Sequence, residues 1–188
     1  MHADARSTHQ QRRVIILGPV SHGKTVFLAV SPTDARKIAV TGRVSIADNN
    51  GKESIWFTVD GGSTWVDVTG NLVEATKTIA LPRPNEMVLL DVAAANNTAL
   101  LVGTVSGIFV AWVGEDSLAT VAKGSGAVSW ARVGDCSEFP LVLTLGVSYE
   151  PFSDTLVAAT MGRGIYAKHG ITAHLASVHA GLASGQCN

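Results

Sequence analysis

The sequence is short of charge, and this shortage limits the surfaces that the protein can offer to a partner. Charged residues make up 15% of the 188 residues, and the formal net charge is −1. A nucleic-acid surface or a polybasic membrane surface needs clustered positive charge, but here the lysines and arginines are scattered, so we expect neither. The apolar fraction of 46% is high enough for a sizeable core and argues against global disorder.

Cysteine and histidine are too sparse or too scattered to suggest a metal site. The two cysteines are Cys136, in a loop-like segment, and Cys187, the penultimate residue. They could pair, but we favour two free thiols. The six histidines lie mostly near the ends of the chain, and no spacing fits a zinc site. We therefore expect no metal and no cofactor.

Long apolar runs are also missing. Residues 1–13 are polar, and the apolar run behind them is too short for a recognisable secretory signal, which leaves the compartment open. One uncharged stretch, residues 96–114, approaches the length of a membrane span. It contains Asn, Thr, Ser and Gly, however, and divides into two strands at the TVSG sequence. We expect two strands there and no membrane span.

One short motif suggests nucleotide chemistry. Residues 18–25 fit the phosphate-loop pattern through Gly18, Gly23, Lys24 and Thr25. A phosphate loop opens into a helix whose N-terminus helps to bind the anion. Here Pro32 follows within a few residues, in the turn-forming sequence SPTD, and the β-branched run KIAVTG comes next. The sequence thus predicts strand, turn and strand, and a nucleotide binder is only a remote alternative.

A repeat organises most of the chain. Residues 26–60, 88–114 and 142–170 share an apolar strand, a polar turn, a second apolar strand, another turn and an Ile–aromatic strand. The Ile–aromatic pairs, which recur at intervals of roughly 55 residues, are Ile55-Trp56, Ile108-Phe109 and Ile165-Tyr166. This period is typical of propeller blades, which bury their sheet faces by stacking. We therefore predict an all-β fold of about three four-stranded antiparallel blades, an incomplete β-propeller.

The first unit continues into the most specific motif, TVDGGSTW. Its fixed positions are Thr58, Asp60, Gly62, Thr64 and Trp65, and they resemble the Asp-box, or BNR repeat, of sialidase-, xyloglucanase- and sortilin-like propellers. The resemblance covers about residues 20–170. It implies a structural turn in which the carboxylate accepts backbone hydrogen bonds, a glycine adopts positive φ, and the Trp ring points into the apolar layer between sheets. Proteins of this family are often secreted.

The repeat also sets the domain organisation. We expect a polar tail over residues 1–13, a partial propeller over 14–170, and a C-terminal tail over 171–188 that could form a short helix. Ser129-Trp130 resembles a degraded copy of the Asp-box, with Trp130 as the counterpart of Trp65. Closed propellers have 4–8 blades. The chain therefore resembles the C-terminal part of a longer propeller, or an open array that a partner completes.

The sequence does not single out a catalytic site. Sialidases resemble one another in an arginine triad, but only Arg43 and Arg163 lie in comparable positions, and we treat them as ligand-face candidates. Tyr149-Glu150 resembles a nucleophile pair, yet it precedes Pro151 in a segment that we expect to be a turn. The carboxylates available to a glycosidase, none of which forms an evident pair, are Asp48, Asp91, Glu115, Asp116 and Glu150.

Two functions remain open at this point. The first, which we favour, is a non-catalytic binding or scaffold module for a protein or a glycan. The alternative is a C-terminal fragment of a glycoside hydrolase. Because an incomplete propeller leaves sheet faces uncovered, we also expect a protein partner, self-association or further blades to cover them.

Overall fold

The protein is described here from a computed structural model, which describes residues 27–43, 53–72, 86–115, 118–119, 128–134, 139 and 141–179. These residues form three antiparallel sheets and one short helix. The prediction of a mostly β fold is therefore confirmed. None of the helices in these ranges has the length and hydropathy of a membrane span.

The first sheet follows directly from the alternation of apolar strands and turns in the first unit. Its strands, hydrogen-bonded in chain order, are β1 (Phe27–Val30), β2 (Ile38–Arg43), β3 (Glu53–Thr58) and β4 (Val66–Asp67). The antiparallel pairing of β1 with β2 confirms the predicted hairpin after Thr25. Residues 27–43 thus do not form the helix into which a phosphate loop would open.

The second sheet contains the long uncharged stretch. Its strands, again hydrogen-bonded in chain order, are β5 (Glu86–Val92), β6 (Asn97–Thr104), β7 (Gly107–Trp112) and β8 (Trp130–Arg132). A short 3-10 turn, Ala93–Ala95, connects β5 to β6. Since β6 and β7 pair across a two-residue turn, the predicted division of residues 96–114 into two strands is confirmed.

The third sheet differs from the prediction. It has three strands among the described residues, β9 (Thr144–Glu150), β10 (Thr155–Thr160) and β11 (Gly164–His169). After β11 the chain turns at Gly170, whose φ is 66°, into the helix α1 (Ile171–His179). The prediction of four strands is thus confirmed for the first two sheets, whereas the described residues of the third sheet form three strands and then a helix.

Helix α1 covers one end of the layer between the second and third sheets. The N–H of Thr172, in its first turn, donates to both carboxylate oxygens of Asp154 at 3.2 Å, and the Thr172 hydroxyl donates at 2.7 Å. At its other end the His179 ring lies 4.4 Å from that of Trp112. Ile171 and Leu175 are fully buried between these two anchors. Burial of this apolar pair explains why the segment folds back as a helix.

The three sheets pack face to face as blade-like layers. Their first strands lie side by side, β1 against β5 and β5 against β9. Alternation along β7 supplies both layers of the core: Phe109 and Ala111 pack toward the first sheet, and Ile108 and Val110 toward the third. Within the described residues the sheets form an open row rather than a closed ring.

Candidate functional site

The turn between β3 and β4 is a self-contained hydrogen-bonded unit built by residues of the TVDGGSTW motif. The Asp60 carboxylate accepts the Thr64 N–H at 2.9 Å, the Thr64 hydroxyl at 2.7 Å and the Thr58 hydroxyl at 2.7 Å. These hydrogen bonds, that of the Thr64 N–H first, hold the pKa of Asp60 well below its usual range. The Thr58 oxygen also accepts the Gly62 N–H at 3.0 Å. Gly61 and Gly62 have φ of 72° and 97°, a region in which residues with a Cβ are strained.

The position of Trp65 differs from the one that the resemblance implied. Its side chain does not enter the apolar layer between sheets, because 39% of the residue is exposed and the ring lies over Gly62. The counterpart, Trp130, does enter that layer and is 4% exposed. Its indole N–H donates to the Val68 carbonyl at 3.0 Å, which ties β8 of the second sheet to the first. The tryptophan at this motif position therefore lies at the surface in the first sheet and in the core in the second.

The two ends of the sheets carry different groups of side chains. We call the end that holds the β3–β4, β5–β6 and β9–β10 turns the Asp60 end. We call the end that holds the β6–β7 and β10–β11 turns and the starts of β5 and β9 the Arg163 end. Antiparallel hairpins place alternate turns at opposite ends, so each residue of a turn can be assigned to one of them.

The Arg163 end concentrates exposed apolar side chains. Four large apolar residues of the second and third sheets are exposed by 41–62% at this end, and they are Val105, Leu141, Leu145 and Met161. The turn of Met161 and the segment that contains Leu141 and Leu145 are held together, because the Met161 N–H donates to the Leu143 carbonyl at 2.8 Å. Arg163 lies in the same turn as Met161 and is exposed.

Glycines and one carboxylate bring the second and third sheets close together at the Arg163 end. A Cβ on Gly103 would lie 2.9 Å from the Val147 side chain and 3.1 Å from that of Thr144. Glu86, at the start of β5, accepts the Val147 N–H at 2.9 Å, and a Cβ on Gly146 would lie 2.9 Å from this carboxylate. The four exposed apolar residues therefore lie where the second and third sheets pack closely together.

The two arginines identified from the sequence lie at this end but in different sheets. Arg163 belongs to the β10–β11 turn of the third sheet, and Arg43 is the last residue of β2 in the first sheet. The second sheet lies between these two sheets. The fold places Arg163 at the same end as the four exposed apolar residues, a combination that the sequence did not suggest.

Asp91 links the first two sheets at the Asp60 end. One carboxylate oxygen accepts the Lys37 ammonium at 2.9 Å and the Thr98 hydroxyl at 2.6 Å. The other accepts the hydroxyls of Ser31, at 2.9 Å, and Thr33. Burial raises the pKa of Asp91, but these donors outweigh it and lower the pKa from 3.8 to about 2. With both oxygens occupied, Asp91 is a structural link rather than a free acid or base.

A polar cavity of about 560 Å³ borders this link. Asp91 and three of its hydrogen-bond donors, Thr33, Lys37 and Thr98, line this cavity. The lining also includes Asn96, Asn97 and Glu115. Its size falls within the range of small-ligand pockets, but such pockets are lined mostly by apolar and aromatic groups. Here most of the lining is polar and much of it is already paired within the protein.

Tyr149 and Glu150 are not arranged as a nucleophile and its base. As neighbours in β9 their side chains point to opposite faces. Glu150 accepts the N–H groups of Phe152 and Ser153 at 3.0 and 2.7 Å, which confirms the turn role. Burial and a hydrogen bond to Asp154 raise the pKa of Tyr149, which makes its hydroxyl harder to ionise.

Several predicted residues lie outside the part of the chain that the structure describes. They include the phosphate-loop residues Gly18, Gly23, Lys24 and Thr25, the carboxylates Asp48 and Asp116, and both cysteines, Cys136 and Cys187. Within the described ranges no group of three or more His, Cys, Asp or Glu side chains could hold a metal ion.

Comparison with known proteins adds no relative to this picture. Neither a scan against protein-family models nor a search of curated proteins finds a match for the chain. The resemblance to Asp-box proteins therefore rests on the residues and the hydrogen bonds of the β3–β4 turn.

Proposed function

We propose that the chain is a non-catalytic, protein-binding scaffold built from Asp-box propeller blades, and that the Arg163 end is its binding surface. The observation that carries the proposal is the concentration of exposed Val105, Leu141, Leu145 and Met161 beside Arg163. Scattered single apolar residues on a surface need no explanation, whereas several exposed at one end of the sheets make that end a candidate interaction surface.

The composition of the surface favours a protein over a sugar. Protein interfaces are enriched in Met and Arg at their centres and depleted in Lys, Glu and Asp. Leu145 and Met161 supply flexible apolar contact area, and the Arg163 guanidinium can pair with a carboxylate at the rim. We therefore expect a partner segment that offers apolar side chains next to an acidic residue.

The stacking of the sheets supports a scaffold role. Asp60 stabilises the β3–β4 turn by accepting hydrogen bonds within it, and Gly103 and Gly146 allow the second and third sheets to approach closely at the Arg163 end. Preorganised surfaces lose little freedom on binding, which raises affinity for a given contact area.

The glycoside hydrolase alternative has less support. Hydrolysis needs two carboxylates, one of them able to give or take a proton, at a defined separation. Asp91 is held ionised by four donors, and Glu150 is occupied by its own turn. The described residues thus leave neither of these two carboxylates available for that role.

A peptide library tests the proposal directly. We expect panning of a phage-displayed random peptide library on the wild-type chain to enrich peptides with apolar residues beside Asp or Glu. These peptides should not bind the double variant Leu145→Asp/Met161→Asp. The matched control is Phe152→Asp, since Phe152 is fully exposed but lies in the β9–β10 turn at the Asp60 end; it should bind as the wild type does.

Two results would contradict the proposal. One is peptide binding that survives the double variant but is lost in the Phe152→Asp control. The other is binding on a glycan array, or hydrolysis of fluorogenic glycosides, by the same preparation. Circular dichroism melting curves of each variant separate loss of the surface from loss of the fold.

A further inference from the structure

We infer that the partner segment binds as an extended strand along the edge of β11 and adds a fourth strand to the third sheet. One end of the segment lies at the Arg163 end, and the rest runs beside Gly164–His169. The inference rests on the proposed function and deepens it, since it states how the same partner is held and which sequence pattern that partner must have.

The first two sheets show where a fourth strand pairs in each unit. In the first sheet β4 pairs with Trp56 and Phe57 of β3. In the second sheet β8 pairs with β7 from Phe109 to Ala111. The Ile–aromatic repeat places Tyr166 and Ala167 at the same positions of β11. These are therefore the residues that a fourth strand of the third sheet would face.

The described residues place no strand on the outer side of β11. All six residues of β11 pair with β10 on the inner side, and the strand order puts β11 at the margin of the described sheet. Helix α1, which follows, packs on the Ala93–Ala95 turn and on β5 of the second sheet and so does not continue as a fourth strand. An edge strand in an antiparallel sheet directs alternate backbone N–H and C=O groups outward, and an extended peptide can pair with them.

Accessible side chains border the same edge. Ile165 is 75% exposed, and Ala167 and His169, which share its face of β11, are exposed as well. Ala167 stands where the first two units have Phe57 and Val110, so it leaves room for a larger side chain on a neighbouring strand. Because side chains of a strand alternate between the two faces, every second residue of the partner segment should be apolar and pair with Ile165 or Ala167.

Charge favours a partner segment over a second copy of the same edge. The hairpin from residue 161 to residue 169 carries Arg163 and Lys168 and no carboxylate. Two such edges paired with each other would bring the positive charges of both copies together, and like charges on facing strands are destabilising. An acidic residue of the segment at the Arg163 end instead pairs with the exposed guanidinium.

One segment can reach both the edge and the apolar residues of the Arg163 end. Leu145 lies in β9, which is two strand spacings, or about 10 Å, from β11. About three extended residues span this distance, and Met161 lies between the two strands, in the β10–β11 turn. A segment of about nine residues therefore contacts Leu145 and Met161 with one end and pairs along β11 with the rest.

N-methylation of the best peptide from the library is the primary test. Methylation of each backbone nitrogen in turn removes one N–H donor at a time, and only every second N–H of an added strand faces β11. In calorimetric titrations with the wild-type chain, methylation at these alternate positions should weaken binding about tenfold. Methylation at the positions between them should have little effect. Losses that do not alternate, or no loss at any position, would overturn the inference.

A substitution on the edge strand tests where the peptide pairs. Ala167→Glu puts a carboxylate beside the apolar residues of the added strand and should weaken binding of the same peptide about fivefold, with the melting temperature unchanged. The matched control is Ser148→Glu. Ser148 is exposed on the same face and in the same cross-strand row, but it lies in β9, away from the edge. The control should bind as the wild type does, and equal affinity of Ala167→Glu and wild type would contradict the inference.

Amide hydrogen exchange reports the pairing on the protein side. When the same peptide is added to the isotope-labelled chain, nuclear magnetic resonance should show slower exchange at alternate amides of β11. The amides of β4 and β8, the outermost strands of the other two sheets, should be unchanged. Slower exchange that is confined to the turn of Met161 and leaves β11 unchanged would contradict strand addition.

The outcomes separate this inference from the proposed function. If Leu145→Asp/Met161→Asp loses the peptide but neither N-methylation nor Ala167→Glu affects binding, the Arg163 end binds the partner and strand addition is wrong. If the double variant binds as the wild type does and the alternating losses persist, strand addition stands and the proposed surface is wrong. A library that enriches no peptide contradicts both.

Discussion

The two tryptophans at equivalent repeat positions should differ sharply in what they contribute to stability. Trp130 is 4% exposed in the layer between the first two sheets, and its indole N–H donates to the Val68 carbonyl at 3.0 Å. Replacing a buried Trp by Ala costs about 3–5 kcal/mol, and an unpaired carbonyl adds to this. We expect Trp130→Ala to lower the free energy of unfolding by about 4–5 kcal/mol. Folded domains have only about 5–15 kcal/mol in total.

Trp65→Ala should cost much less. The residue is 39% exposed and its ring covers Gly62 at the surface of the β3–β4 turn. Partial loss of such a contact costs about 1–2 kcal/mol. Urea denaturation followed by far-ultraviolet circular dichroism measures both variants, and Trp130→Phe serves as the control that keeps bulk but removes the indole donor. Equal costs for Trp65→Ala and Trp130→Ala would refute the account of how the sheets pack.

Three further predictions concern the polar links and the sequence motifs. Because hydrogen bonding lowers the pKa of Asp91 from 3.8 to about 2, its contribution to stability is present above pH 4 and is lost as the pH falls toward 2; melting curves across this range should show a smaller acid loss for Asp91→Asn than for the wild type. Gly62→Ala should lower the free energy of unfolding by about 1–2 kcal/mol, because φ at this position is 97°, and an unchanged urea midpoint would contradict that reason. Lys24→Ala should leave binding of ATP and GTP unchanged in a calorimetric titration, because a hairpin rather than a helix follows Thr25; micromolar affinity that the variant abolishes would make the phosphate loop real.

Local pattern was sufficient to predict the hairpins. The turn-forming residues between β1 and β2, and the TVSG sequence between β6 and β7, both divide apolar runs where the structure has turns. The Asp60 turn could also be predicted, because its hydrogen bonds join residues at most four apart in the sequence. Such interactions depend on short segments alone.

Features that depend on the stacking of sheets could not be predicted from the sequence. The donors to Asp91 from the first sheet are separated from it by 54 to 60 residues, and only the packing of the first sheet on the second brings them together. The burial of Trp65 and Trp130 differs for the same reason, since the local sequence is similar and the neighbouring layers are not. Helix α1 after β11 was not predicted as a core element, because the burial of Ile171 and Leu175 depends on residues of the second and third sheets.

We propose that the chain binds a protein segment through the exposed apolar residues beside Arg163. The most direct measurement is a calorimetric titration of the best peptide from the library into the wild-type chain and into Leu145→Asp/Met161→Asp. We predict that the double variant loses at least about 30-fold in affinity, as expected when interface anchors are removed, with its melting temperature unchanged. Equal affinity for the two proteins would contradict the claim.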